Sequence, residues 1–194
     1  MFEKLLNLIS NIHKIKLDNI LEIDCYKNNY LKKLQKRFEN KTIYNFEDAD
    51  KIYDIIVSRL NEYFKRMQNN IVSVIHGDFW FSNIILTYKD EYKFIDMKGI
   101  VDNNLSLSGD KIYDYAKIMQ SLVCFDYILN NNKIQPENNI FINFYKKWIN
   151  ENDPDINFDD IFLICATLIF GVFEFHEIKN KNLIIELVKK LILE

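Results

Sequence analysis

Apolar positions recur every three or four residues over most of this chain, the spacing of helices that bury one face. Near the N-terminus, Leu5, Leu6, Ile9, Ile12 and His13 share such a face. A second helix is expected from about Tyr26 to Glu39. The third stripe is the most regular: Phe46, Ala49, Ile52, Tyr53, Ile56, Val57, Leu60, Tyr63, Phe64 and Met67, with Asn45 placed to cap it and Asp48 in its first turn. It reads as a core element without chemistry of its own. At Ile71 the pattern changes to short β-branched runs: IVSVI, then IILTY after Asn83, then YKFID ending at Asp96. The last two are separated by KDE and predict a small β-hairpin beside a first strand. Helical spacing then returns over 111–129, 137–151, 159–175 and 182–193, with Pro136 and Pro154 between helices. With no internal repeat and no Gly/Ser linker, residues 1–194 read as one domain of the α+β class, mainly α, with a few short strands in its middle.

The most apolar run, Ile161 to Phe173, holds thirteen residues. A bilayer span needs about 20, so a buried core helix is expected and no membrane insertion. The 194 residues carry a net charge of −3, with Lys and Arg spread along the chain, which argues against a sequence-independent grip on nucleic acid. Cys25, Cys124 and Cys165 stand far apart and are odd in number, which excludes a disulfide framework or a four-thiolate zinc site. They suit a reducing compartment, and with no secretory signal in MFEKLLNLISNIHKIK the expected location is cytoplasmic. The 24 Asn against 3 Ala point to a compositional bias, so Asn here is weak evidence for turns.

Three of the four glycines, Gly77, Gly99 and Gly109, fall within 33 residues, in the loops around the expected strands. Glycine is costly unless the backbone needs it, so this stretch is geometrically demanding. It reads IHGDFWFSNIIL, then KFIDMKG, then SGDKIYDYAKI. The Asp78-x-x-x-x-Asn83 spacing is that of the protein-kinase catalytic loop, in which the Asp orients the attacking hydroxyl and the Asn holds a metal ion. Asp96 ends the next hairpin. Mg²⁺ takes hard oxygen ligands and keeps several waters, so one carboxylate and one amide oxygen suffice from a protein.

HGDFWFSN, FIDMKG and GDKIYDYAK together resemble the aminoglycoside phosphotransferase and choline kinase superfamily, whose pattern is HGDxxxxN, a hydrophobic-Asp strand end and GDxxxDxA. Within it the chain is most similar to phosphotransferase-like proteins of bacterial capsular polysaccharide gene clusters, with Phe79-Trp80 for Leu-Cys and Met97-Lys98 for Pro-Arg as departures. The resemblance is dense from Val74 to Phe125 and implies a protein-kinase-like C-terminal lobe whose short β-hairpin segment carries the catalytic loop. It makes Asp78 the catalytic carboxylate and Asn83 and Asp96 the ligands of Mg²⁺, with ATP as phosphoryl donor. His76 would brace the loop, Asp110 support it from the start of the next helix, and Asp114 pack beneath it. Asp110 also reads as an ordinary helix N-cap, and Trp80 and Phe81 either cover the acceptor or pack. His176, with Glu174 and Glu177, either lines an acceptor site or places a cation at a helix C-terminus.

The resemblance implies a small-molecule kinase acting on a hydroxyl of a sugar or amino-alcohol metabolite in surface-polysaccharide synthesis. A phosphate-covering loop and its Lys have no counterpart among the residues before His76, so the chain is expected to lack the N-terminal nucleotide-binding lobe. Either a separate small-lobe chain or a nucleotidyltransferase is the expected protein partner, and a non-catalytic binding or scaffold module is the competing reading. The side facing such a lobe is expected to expose an apolar patch formed by Leu5, Leu6, Ile9 and the hairpin. The run Asp153, Asp155, Asp159, Asp160 is either an acidic acceptor surface or a solvated helix start.

Overall fold

The computed structural model describes residues 1–131, 139–174 and 181–193. Helices α1 (Phe2–His13), α2 (Ile23–Phe38) and α3 (Ala49–Phe64) lead into the strand region, and α4 (Lys111–Leu122), α5 (Phe125–Asn131), α6 (Asn139–Asn152), α7 (Phe158–Gly171) and α8 (Lys181–Leu193) follow it. Between them lie six strands of two or three residues each: β1 (Ile71–Val72), β2 (Ile84–Leu86), β3 (Tyr92–Phe94), β4 (Ile100–Val101), β5 (Asn104–Leu105) and β6 (Gly109–Asp110). The mainly helical α+β class expected from the sequence is what the chain adopts.

The core gathers around α7, which packs on α4 and α8 and touches α2 and α3. Its apolar run is buried as expected, and no described helix is long and apolar enough to cross a membrane. From α3 the core takes Ile52, Ile56, Leu60 and Tyr63 at four-residue spacing, continued by Met67. This helix begins at Ala49 rather than at Phe46, because Asp48 turns the chain through φ 65°. Asn45 therefore caps nothing, and Phe46 packs its ring against Phe170 and Phe173 from the preceding loop.

The strands depart from expectation in their pairing. β1 does not join the hairpin; it pairs antiparallel with β6, Ile71 opposite Asp110 and Val72 opposite Gly109. The β2–β3 hairpin forms as predicted, with Ile84 opposite Phe94 and Leu86 opposite Tyr92. A third ribbon, β4–β5, turns at Asp102-Asn103, both with positive φ, the geometry of the tight hairpin turn that matches strand twist. The helix expected over 111–129 is broken at Cys124, which stands at φ 61°. The start of the helix expected from Glu137, with Pro136, lies outside the described residues, as do His176 and Glu177 and the side chain of Glu174.

Leu5, Leu6 and Ile9 are buried at 4% exposure or less, so they are not part of an exposed patch. The α6 helix lies over α1: Phe2 meets Phe141, Phe144 and Tyr145, and the Trp148 indole donates to Asn7 Oδ1 at 3.1 Å. The hairpin side does expose apolar residues, among them Ile85, Ile95, Met97 and Ile100.

Candidate functional site

The loop after β1 is held from below by one carboxylate. Asp114, in the first turn of α4 and without solvent exposure, accepts the His76 N–H at 2.8 Å on Oδ2 and the Gly77 N–H at 2.7 Å on Oδ1. His13 of α1 approaches the same Oδ2 through Nε2 at 3.0 Å. Gly77 cannot be another residue without strain. Its φ is 76°, and a Cβ there would come within 2.9 Å of Lys98 Cβ. The loop continues as a tight turn closed by backbone bonds, Trp80 N–H to the Asp78 carbonyl and Asn83 N–H to the Trp80 carbonyl, both 3.0 Å.

His76 is buried, its ring edge-on to Phe79 and Phe94. Its Nδ1 accepts the Asp78 N–H at 3.3 Å, so the ring proton belongs on Nε2. Nε2 faces the Ile95 carbonyl without reaching hydrogen-bond geometry. Burial lowers the His76 pKa, against the opposing pull of Asp114 and Asp78, and keeps the ring neutral. A neutral imidazole fixing one backbone amide does bracing work.

Asp78 presents two faces. On one, the Asn83 side-chain amide donates to the Asp78 carbonyl at 2.9 Å and to its Oδ2 at 3.3 Å. On the other, Oδ1 meets Lys117 Nζ at 3.0 Å and Lys98 Nζ at 3.7 Å. Burial alone would raise this carboxyl; Lys117 and then Lys98 outweigh it and hold Asp78 below the ordinary carboxylate range. Asp96 follows β3, one residue after Ile95, whose N–H is bonded to the Asn83 carbonyl at 3.1 Å. It is exposed and sits at φ 56°, a conformation Asp tolerates better than most side chains but still pays for. Asp78, Asn83 and the backbone leading to Asp96 thus come together around one turn and one hairpin end.

Asp110 fills the helix N-cap position that the sequence offered it. It caps α4 by accepting the Ile112 N–H at 3.0 Å, and its Oδ2 accepts the hydroxyls of Tyr30, at 2.7 Å, and Tyr63. It ties α2 and α3 to α4, while the support of the loop falls to Asp114. Full burial raises the Asp110 pKa to about 6 despite those three donors. The acidic run is divided: Asp155 and Asp159 are exposed, and the other two are engaged. Asp153 is paired with Lys111 at 2.7 Å, and Asp160 is buried against Arg66.

Three contacts escaped the sequence. Lys117 lies three residues after Asp114, one turn further along the same helix face, and that spacing was its only signal. Lys98 follows Asp96 by two. His13 showed as a lone titratable group on an apolar helix face, a position that asks for a buried partner.

A mostly helical domain carrying a His-Gly-Asp turn, an Asn five residues after the Asp and an Asp at the end of the next hairpin belongs among small-molecule phosphotransferases of protein-kinase-like fold. The model of the ecdysteroid kinase-like family matches residues 9–147, more than two thirds of the chain, and the chain belongs to that family. No curated protein and no solved structure matches it.

Proposed function

We propose that this chain is the catalytic lobe of a Mg²⁺- and ATP-dependent phosphotransferase whose acceptor is a hydroxyl of a small metabolite. The observation that carries this reading is the orientation of Asn83. Its Nδ2 hydrogens are spent on Asp78, which leaves the amide oxygen as a ligand for a hard cation. Asn83 and Asp96 would hold Mg²⁺, which when bound neutralises the donor phosphates.

Asp78, kept ionised by Lys117 and Lys98, orients the acceptor hydroxyl and accepts its proton as the new bond forms. His76, Gly77 and Asp114 fix the turn that aims it. The exposed apolar side chains Ile85, Ile95 and Met97 offer a face for a nucleotide base or for a separate small-lobe chain. Likeness of the motifs to capsule-cluster phosphotransferases supports a sugar or amino-alcohol acceptor in surface-polysaccharide synthesis.

The test is Asp96→Asn. The amide keeps the shape and removes the charge the cation needs. Calorimetry should show Mg²⁺-ATP affinity reduced at least about tenfold, a difference of about 1.4 kcal/mol, with the melting temperature little changed. Equal affinity in wild type and variant would reject Asp96 as the ligand.

A further inference from the structure

Lys98, which approaches Asp78 Oδ1 at 3.7 Å, also lines a cleft that the reaction chemistry above does not use. Beside Gly77 lies this small, half-open cleft of about 20 Å³, lined by Asn29, Lys33, Lys98, Ser106 and Tyr113 among others. None of its lining residues is acidic. Among the described residues Lys33 hydrogen-bonds the neutral Asn29 side-chain oxygen, and the Asp102 carboxylate acts on it only through space. Asp102, the nearby carboxylate, is already engaged by Asn28 at 3.0 Å and Lys32 at 3.4 Å. Lys98 Nζ stands 5.9 Å from the Tyr113 ring centre and 3.7 Å from Asp78. Lys117 closes the other side at 3.0 Å from Asp78. Two ammonium groups therefore flank the Asp78 carboxylate, and all three act on the Tyr113 phenol. The Tyr113 hydroxyl registers that surplus: burial would raise its pKa, yet Lys117, Lys98 and Lys33 together lower it.

A surplus of positive charge around a small open cleft attracts an oxyanion, which lysine ammoniums bind as point charges; the cleft admits one of its oxygens and leaves the rest outside. Its side matters. Asn83 approaches Asp78 Oδ2, whereas Lys98, which lines the cleft, and Lys117 approach Oδ1, so the cleft joins the carboxylate through Lys98 at the oxygen that the amide does not touch. A general base has the donor on one side and the acceptor on the other. We infer that Lys33, Lys98 and the Tyr113 hydroxyl form an oxyanion subsite on the acceptor side of Asp78, so that the metabolite phosphorylated here carries a second, acidic group, a phosphate or a carboxylate. The acceptor-side placement rests on the phosphotransferase reading; the oxyanion subsite does not. Of the two acceptor classes proposed above, the cleft favours an acidic sugar derivative; a cationic amino alcohol such as choline, or an aminoglycoside, would meet repulsion in it.

Calorimetry at low salt tests both parts with inorganic phosphate, glycerol 3-phosphate and glycerol as probes. The two phosphates should bind the wild-type chain without Mg²⁺ and glycerol should not. The double variant Lys33→Gln/Lys98→Gln should lose at least about tenfold in phosphate affinity, the cost of roughly one charge-assisted bond, and Lys33→Arg/Lys98→Arg should recover most of it. Both lysines are solvent-accessible, and a circular dichroism melt confirms that each variant is folded. Asp96→Asn should bind the phosphates as wild type does. Unchanged affinity in the glutamine variant would overturn the subsite. Binding that requires Mg²⁺ and disappears in Asp96→Asn would place the anion on the donor side and overturn the acceptor assignment. Lysine-dependent phosphate binding in a chain whose Mg²⁺-ATP affinity is unchanged by Asp96→Asn would uphold the subsite and reject the metal-site assignment on which the acceptor side rests.

Discussion

At the scale of single residues, the charge state of Asp78 depends on Lys117. A carboxylate with a depressed pKa adds stability above its unfolded pKa and loses it as pH falls through the folded value. Removing its nearest counter-charge reverses both effects. Lys117→Met should cost about 2 kcal/mol at pH 7, less than a fully buried pair because Asp78 keeps some solvent contact. It should also move the acid limb of kcat to higher pH. Urea unfolding reads the first and a pH–rate profile the second, and a merely structural Lys117 would leave the profile in place. The sequence made Asp78 and Asn83 legible because their spacing within one turn is local. It could not show that Lys117 and Lys98 share Asp78, nor that His13 reaches Asp114 across 101 positions, because no periodicity reports a long-range pair.

Among the elements, the helices were legible because each repeats its buried face several times. The exceptions are single backbone choices. Asp48 at φ 65° delays α3, and Cys124 at φ 61° divides α4 from α5. Neither residue type announces a left-handed turn as glycine would. The β1–β6 bridge was illegible for another reason: two residues on each side, far apart in sequence, carry too little pattern to choose a partner. Cys124 follows the C-cap of α4, the position where helices usually place glycine. Cys124→Gly should therefore stabilise the chain by about 1 kcal/mol, the relief of the Cβ clash in that conformation. Urea titration checks this, and a loss of stability would mean that the Cys124 side chain contributes more by packing than it costs in strain.

For the whole molecule, Asp110 is the tie that α2, α3 and α4 share, and it makes stability depend on pH in an unusual direction. Its folded pKa, about 6, lies above the unfolded value of 3.8. The native state therefore holds its proton more tightly, and the stabilisation is complete below the unfolded pKa and lost as pH rises through the folded one. Comparison with Asp110→Asn, which cannot titrate, cancels the other groups. The stability of wild type relative to that variant should fall by roughly 2 kcal/mol between pH 4 and pH 6 and stay level above pH 7. A level difference throughout would show that the carboxyl titrates normally in the fold.

Asp114 holds the turn by its main-chain amides, and main-chain amides are common to every residue type. Phe79 is pinned by complete burial, but Trp80, Phe81 and Ser82 lie outside that grip and partly or wholly at the surface. The frame that aims Asp78 is thus separable from the side chains that would meet a substrate. Descendants of such a loop can exchange those three residues, and with them the compounds they accept, while the aiming of the carboxylate passes unchanged from one to the next.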